Sequence, residues 1–507
     1  MPLPSGPPGF FRPGCIEAVG AETDGGSAGG VTAVKWVRQR GRRKSSLGMT
    51  SSEALLPATR RALLHRIATA QSEGRAPSLV AAVQRDGRIV WSGARSCVDG
   101  HEPDGDTQFR IGSLTKTFTA VLVMRLRDEG LLDLDDSLEE HLPGTGVGQV
   151  TVFQLLGHSG GLGAETPAPW WERTSGDVRP KLADVLGERP LIQTSGHGHH
   201  YSNPGYTLLG SLVEKLRGDS WAEVLRREVL EPLGMGRTTP QAHAPHAGGW
   251  AVHPWADVML PEPAEDLGLM APAGQLWSTT TDLLRFAAFL AQGDERVLSA
   301  SSVAEMRAPA APPEAGDWAG TYGLGLQAVR RGERTLLGHS GSLPGFLATL
   351  LFSVEDDVAA VVLSNATSGP LTGTVAADLV QIVADAEPRI PEPWRPLPEV
   401  DHDLLALTGP WYWGTQVHAV KLLADGGLEF QPLRGAGRAA RFRRRPDGTW
   451  TGLNGYYAGE TLRVVRAADG TVDHLDLGSF VFTREPYDRS AAIPGGVDDG
   501  GWRGLAT

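Results

Sequence analysis

Five prolines between Pro388 and Pro398 divide this 507-residue chain into two stretches of unlike texture. Proline fixes φ and removes a backbone donor, so such a run reads as a semi-rigid linker, assigned here to residues 388–400. Beyond it, from Leu407 to Glu485, short strand candidates follow one another at 411–417, 428–432, 449–453, 462–465, 472–477 and 480–483. The dipeptides Asp425-Gly426, Asp447-Gly448 and Asp469-Gly470 punctuate them. Closely spaced strands with Asp-Gly turns predict a small all-β barrel or sandwich over 401–487, with 488–507 as a disordered tail.

Upstream the pattern is mixed. Apolar runs at 79–83 and 89–92 flank Arg85-Asp86-Gly87, a hairpin signal. Runs at 347–352 and 358–363 flank Glu355-Asp356-Asp357, and a helical stretch covers 372–386. Helix-spaced apolar residues also occupy 114–129 and 206–217. Strands at both ends with helices between them predict an α/β layered domain over 49–387, in which early and late chain share one sheet. Residues 1–48 hold fifteen Pro and Gly and close on a basic run from Lys35 to Lys44, which predicts a disordered N-terminal extension whose charges are solvated. Met49 opens a helix-like stretch and is an alternative start.

The net charge of −12 argues against nucleic acid or anionic membrane as a partner. Two cysteines, Cys15 and Cys97, lack ligand spacing, so neither a disulfide scaffold nor a zinc site is expected. No apolar run is long enough to span a bilayer or to form a secretory signal, which makes the expected location cytoplasmic.

One stretch carries chemistry. In Ser113-Leu114-Thr115-Lys116, the i, i+3 spacing on a helix start sets a hydroxyl beside an amine. It also puts Ser113 at the positive end of the helix dipole, where an oxyanion is favoured. Serine is a poor nucleophile until a neighbouring base takes its proton, and a desolvated lysine can be that base. Only six lysines occur, and this is the single Ser-x-x-Lys. Alone, the same spacing equally describes an N-cap serine and a solvated lysine. Two further elements strengthen it: Tyr201-Ser202-Asn203, before the helical stretch at Tyr206, and Gly338-His339-Ser340-Gly341-Ser342, before a strand. The Tyr201 phenol can share a proton with Lys116, and Asn203 can orient it. Gly341 lets the backbone approach an acyl group, and the Ser342 and Ser113 N–H groups can form an oxyanion hole.

Taken in order, Ser113-x-x-Lys116, Tyr201-x-Asn203 and His339-x-Gly341 resemble the serine β-lactamase and penicillin-binding-protein superfamily, in its class C-like branch of esterases, D-amino-acid peptidases and amidases. Residues 151–162, 272–281 and Tyr322-Gly323-Leu324-Gly325-Leu326 are similar as well. The resemblance implies an antiparallel sheet with flanking helices plus an all-helical subdomain. It implies Ser113 as acylated nucleophile, Lys116 and Tyr201 as proton-transfer pair, and Asn203, His339, Gly341 and Ser342 as substrate contacts. His339 stands where class C β-lactamases carry lysine; a neutral imidazole is a weaker carboxylate anchor, which favours the esterase or peptidase side. Neither metal nor organic cofactor is implied, the substrate would be a small ester, amide or short peptide, and a homo-oligomer is possible. The C-terminal segment resembles the lipocalin-like barrels appended to some members. The rivals are a true β-lactamase or D,D-peptidase and, from another class, a non-catalytic acyl-ligand sensor.

Four other features compete for roles. Gly157-His158-Ser159-Gly160-Gly161 fits the nucleophile elbow of α/β-hydrolases, but an elbow needs strand, turn, helix, whereas 151–156 reads as a helix start. A structural turn beside the site is the expectation. The cluster of His197, His199 and His200 reads as a loop rather than a metal site. Trp170-Trp171 fits either an acyl pocket or a core edge. Arg441 and Arg443 to Arg445 read as the exposed face of a barrel strand.

Overall fold

The computed structural model describes residues 55–487, apart from 176, 177, 179, 312–319, 392, 400 and 436. The N-terminal extension, the Met49 alternative and the tail from 488 lie outside the described residues.

Seven antiparallel strands form the main sheet: β1 (Ser78–Arg85), β2 (Arg88–Ser96), β3 (Gly320–Tyr322), β4 (Gln327–Arg331), β5 (Arg334–Leu343), β6 (Phe346–Ser353) and β7 (Val358–Ser364). Their order is β2-β1-β7-β6-β5-β4-β3, so early and late chain meet at the β1/β7 pair, with Leu79 opposite Ser364 and Arg85 opposite Val358. The β1–β2 hairpin turns at Asp86 and Gly87, whose φ values of 51° and 72° are those of a two-residue turn matching strand twist. β7 is buried at every position because helices cover both faces of the sheet. On one side lie α1 (Pro57–Glu73) and α6 (Thr372–Ala386), on the other α5 (Thr280–Gln292).

The remaining helices include those that carry Lys116 and Asn203. α2 (Thr115–Asp128) is buried from Thr115 to Leu126 except at Arg125, as a helix at the centre of a core must be. α3 (Val152–Leu156) starts on a capping box in which Thr151 accepts from the Gln154 N–H at 3.2 Å while the Gln154 carboxamide accepts from the Thr151 N–H at 3.1 Å. α4 (Asn203–Arg217) starts on Ser202, whose hydroxyl accepts from the Gly205 N–H at 3.1 Å. An exposed hairpin of Gly249–Val252 and Met259–Glu262, which sequence patterning does not signal, packs its Gly249 against Phe346.

After the proline-rich stretch comes a closed barrel of eight strands: β8 (Gly409–Trp413), β9 (Gln416–Leu422), β10 (Leu428–Pro432), β11 (Ala440–Arg444), β12 (Trp450–Gly452), β13 (Thr461–Arg466), β14 (Val472–Leu477) and β15 (Phe480–Thr483). The expected strand 411–417 is two strands, because Gly414, at φ 62°, turns the chain between Trp413 and Gln416. In β11 Ala440 and Phe442 face inward while Arg441, Arg443 and Arg444 face solvent, as expected, but on a strand paired on both sides rather than at an edge. Among the described residues no helix is long and apolar enough to cross a membrane.

Candidate active site

A single 3₁₀ turn, Gly112–Leu114, leads from a short strand into α2 and presents Ser113. Three residues on, Lys116 is fully buried, and its ammonium nitrogen donates to Ser113 Oγ at 3.0 Å, to Asn203 Oδ1 at 2.6 Å and to the Ala273 carbonyl at 2.8 Å. Burial pushes its pKa from 10.5 down to about 7, against the opposing pull of Glu165 and Glu172. Such an amine is neutral in a substantial fraction of molecules near neutrality and within reach of the serine proton.

Tyr201 stands at the other side of the serine. Its ring centroid lies 4.9 Å from Lys116 Nζ, and the neighbouring Ser113 hydroxyl tempers the effect of burial on its phenol. Burial raises its pKa, so the phenol is protonated while the amine is the readily titrating member of the pair. Asn203 Nδ2 donates to Glu165 Oε1 at 2.8 Å, and Trp171 Nε1 donates to Glu165 Oε2 at 2.8 Å. Glu165 therefore clamps the Asn203 amide so that its oxygen faces the amine. Sequence reasoning passed over Glu165, since nothing in its spacing links it to a partner 38 residues away.

β5 runs directly past this turn. A methyl group on Gly341 would sit 1.8 Å from the Ile111 carbonyl and 2.9 Å from Ser113 N. Glycine is thus required there for strand β5 to meet the turn that carries Ser113, a closer constraint than room for an acyl group. Gly112, at φ 51°, is equally confined, its Cβ position lying 2.7 Å from Ser342 N. The Ser113 and Ser342 backbone nitrogens consequently lie along one seam between this turn and β5.

His339 lies in β5 but is 1% exposed, and both ring nitrogens are engaged. Nδ1 donates to the Ser340 carbonyl at 2.6 Å, which leaves Nε2 to accept from the Tyr322 hydroxyl at 2.9 Å. Burial and the nearby Lys116 hold its pKa down to about 3, so the ring is neutral and supplies no positive charge. Ser159, the elbow candidate, is buried in a turn after a short helix, without the preceding strand that an elbow requires. Its neighbour His158 is the residue that reaches the site. His199 packs on His158 at 5.8 Å and on Tyr322 at 5.5 Å, and among the described residues no group of three or more potential ligands could hold a metal. Trp170 is largely exposed and donates to Glu172 Oε2 at 2.9 Å; Trp171 walls an apolar cavity of about 100 Å³ shared with Pro167, Val185, Leu267 and Met270.

A half-buried serine beside a buried lysine, with a tyrosine close by, on an antiparallel sheet with flanking helices, is the architecture of the β-lactamase and penicillin-binding-protein superfamily. The chain belongs to the Beta-lactamase family, whose model matches residues 63–385, while residues 400–484 match a domain of unknown function, DUF7586. It is 28% identical over 283 residues to penicillin-binding protein 4* of Bacillus subtilis (strain 168), covering 51% of this chain and 60% of that one. Among solved structures it is similar to a D-stereospecific amidohydrolase from Streptomyces sp. (27% identity, TM-score 0.53, 66% of this chain and 99% of that one). It is also similar to the D-amino acid amidase from Ochrobactrum anthropi SV3, complexed with L-phenylalanine amide (25% identity, TM-score 0.55, 65% and 98%). The chain spans between 45% and 66% of the length of the first curated relatives it matches.

Proposed function

We propose that this protein is a serine hydrolase that cleaves an ester or amide bond of a small molecule or short peptide through an acyl-enzyme on Ser113. The observation that carries the reading is the 3.0 Å hydrogen bond from Lys116 to Ser113 Oγ by an amine whose pKa is lowered to about 7. In the first half-reaction the neutral Lys116, with Tyr201 as relay, takes the serine proton as Oγ attacks the carbonyl carbon. The oxyanion is held by the Ser113 and Ser342 amides, and the proton passes to the leaving amine or alcohol. Water then repeats the sequence against the acyl-enzyme. Asn203, fixed by Glu165, orients Lys116 and the substrate carbonyl, and Gly341 lines the same seam. The whole cycle uses side chains and backbone of this chain, with no cofactor, and fits a cytoplasmic enzyme that can be homo-oligomeric.

A β-lactamase or D,D-peptidase is the second reading, supported by the penicillin-binding proteins among the relatives. Against it stands His339, neutral and tied to Tyr322, where an anchor for a substrate carboxylate would be cationic. Intact-protein mass spectrometry after a fluorophosphonate, and separately after a cephalosporin, decides between them. A phosphonate adduct on wild type and Ser159→Ala that is lost in Ser113→Ala, with no cephalosporin adduct, is the expected result. A stable or turning-over cephalosporin adduct would favour the second reading, and absence of any adduct on wild type would favour a non-catalytic acyl-ligand sensor.

A further inference from the structure

His158 precedes Ser159 in the Gly-x-Ser-x-Gly pattern, and its side chain points to a task of its own. It is 2% exposed and sits at φ 55°, a left-handed conformation that His and Asn tolerate better than most residues. Its Nδ1 accepts from the Ser202 N–H at 3.1 Å, and its carbonyl accepts from the His200 N–H at 2.7 Å. The ring lies against Tyr201 at 4.3 Å, Tyr322 at 4.7 Å and Tyr206 at 5.1 Å. Ser202 is the residue between Tyr201 and Asn203, and its hydroxyl is already committed to the Gly163 carbonyl at 2.7 Å. Asn203 N in turn donates to the Ala164 carbonyl at 2.9 Å. The tyrosine–asparagine turn is therefore sewn to residues 158–164 by three bonds in succession, and the one nearest Tyr201 is made by an imidazole.

We propose that His158 is a positioning residue: its ring backs the Tyr201 phenol and its Nδ1 latches the Ser202 amide, so that Tyr201 and Asn203 are held at once over Ser113 and Lys116. The inference rests on the hydrolase reading, in which Tyr201 and Asn203 act on the proton. Accepting through Nδ1 places the proton on Nε2, and burial together with the positive charge of Lys116 keeps the ring from taking a second one. The groups facing the ring are Lys116, His199, His200 and His339, with Tyr201, Tyr206 and Tyr322; none is a carboxylate that would favour an imidazolium. The latch is thus neutral and permanent rather than a switch. A displaced positioning group can cost about 100-fold in rate without touching substrate.

Two variants separate the latch from mere filling. His158→Phe keeps an aromatic ring and loses the acceptor; His158→Asn loses the ring, keeps an oxygen at the Nδ1 position and tolerates the φ. In steady-state hydrolysis of an activated ester, His158→Phe is expected to lose about 100-fold in kcat with KM changed less than about threefold, and His158→Asn to recover most of the loss. Full activity in both variants, or equal loss in both, overturns the latch. Because His158→Phe leaves the Ser202 N–H buried and unpaired at a cost in stability, ring ¹⁵N resonances of wild type, assigned by comparison with His158→Asn, give a second test. An Nε2–H tautomer that does not titrate between about pH 5.5 and 8.5 is expected, and an Nδ1–H tautomer overturns the proposal. The tautomer requires no activity, so it decides the latch even where failure of wild type to react with fluorophosphonate has overturned the hydrolase reading.

Discussion

The interiors of the two folded regions are built from opposite materials. Inside the barrel Trp411, Phe430, Phe442, Trp450 and Phe482 are almost completely buried, with Phe430 and Phe482 packed edge to face at 4.8 Å. Its only buried polar side chains among the described residues are His418 and His474. The domain before the linker instead buries Arg110, Lys116, His158, Asn203 and His339 within its apolar core. Burying an ionisable group costs free energy that packing alone never returns, so a core that retains several of them in one place marks a site rather than a scaffold. The barrel has the interior of a small closed barrel filled by its own side chains.

Replacing the lysine probes that contrast most severely. Lys116→Met removes the proposed base and is expected to lower the rate of Ser113 phosphonylation by about 1,000-fold or more. Stability should move the other way with acidity. The folded pKa of about 7 lies below the unfolded 10.5, so between those values the unfolded chain holds a proton that the folded chain does not. The stability of wild type therefore falls as pH drops from 10.5 to 7 and the burden is full below 7, whereas the methionine variant carries none. Melting temperatures across that range are expected to shift steadily in favour of the variant toward low pH; parallel curves would mean that the amine is not desolvated.

In the barrel the corresponding cut is purely structural. Trp411 is fully buried, its Nε1 donates to the Leu407 carbonyl at 2.7 Å, and the Arg484 guanidinium lies 3.9 Å from its ring centroid. Trp411→Ala is expected to cost about 3–5 kcal/mol of barrel stability, measured by denaturant unfolding of the full chain. Phosphonylation of Ser113 should be unchanged, because every residue bonded to Lys116 precedes the linker. A lost reaction would show that the barrel completes the site.

How far the sequence speaks differs between the regions for the same reason. Ser113 and Lys116 are legible because three residues of helix bring their side chains together, and Tyr201 with Asn203 is legible because a turn precedes a helix start. The sheet is legible where hairpins are local, as at Asp86-Gly87, and the join of β1 with β7 follows from strands at both ends of the domain. What escapes are pairings that no local spacing encodes: Glu165 on Asn203, and His158 on Ser202 across 44 residues. The elbow pattern drew attention to Ser159 when the side chain that reaches the site belongs to the residue before it. In the barrel, alternation reveals the strands, but a single glycine at 414 splits one expected strand into two.

The gentlest change tests whether charge at the mouth of the site tunes the base. Glu165 ranks first among the charges that raise the Lys116 pKa against its burial, because a carboxylate favours the ammonium form. Glu165→Gln removes the charge while its amide oxygen can still accept from Asn203 Nδ2. Without the carboxylate the ammonium is less favoured, so the Lys116 pKa falls below about 7. The ascending limb of kcat/KM against pH then moves to lower pH, by a fraction of a unit for a charge partly screened by solvent. The plateau should drop only several-fold, since the amide is loosened but not lost. A limb that moves to higher pH, or a plateau that collapses with the limb unmoved, would assign Glu165 to holding Asn203 alone and leave the tuning of the base to burial.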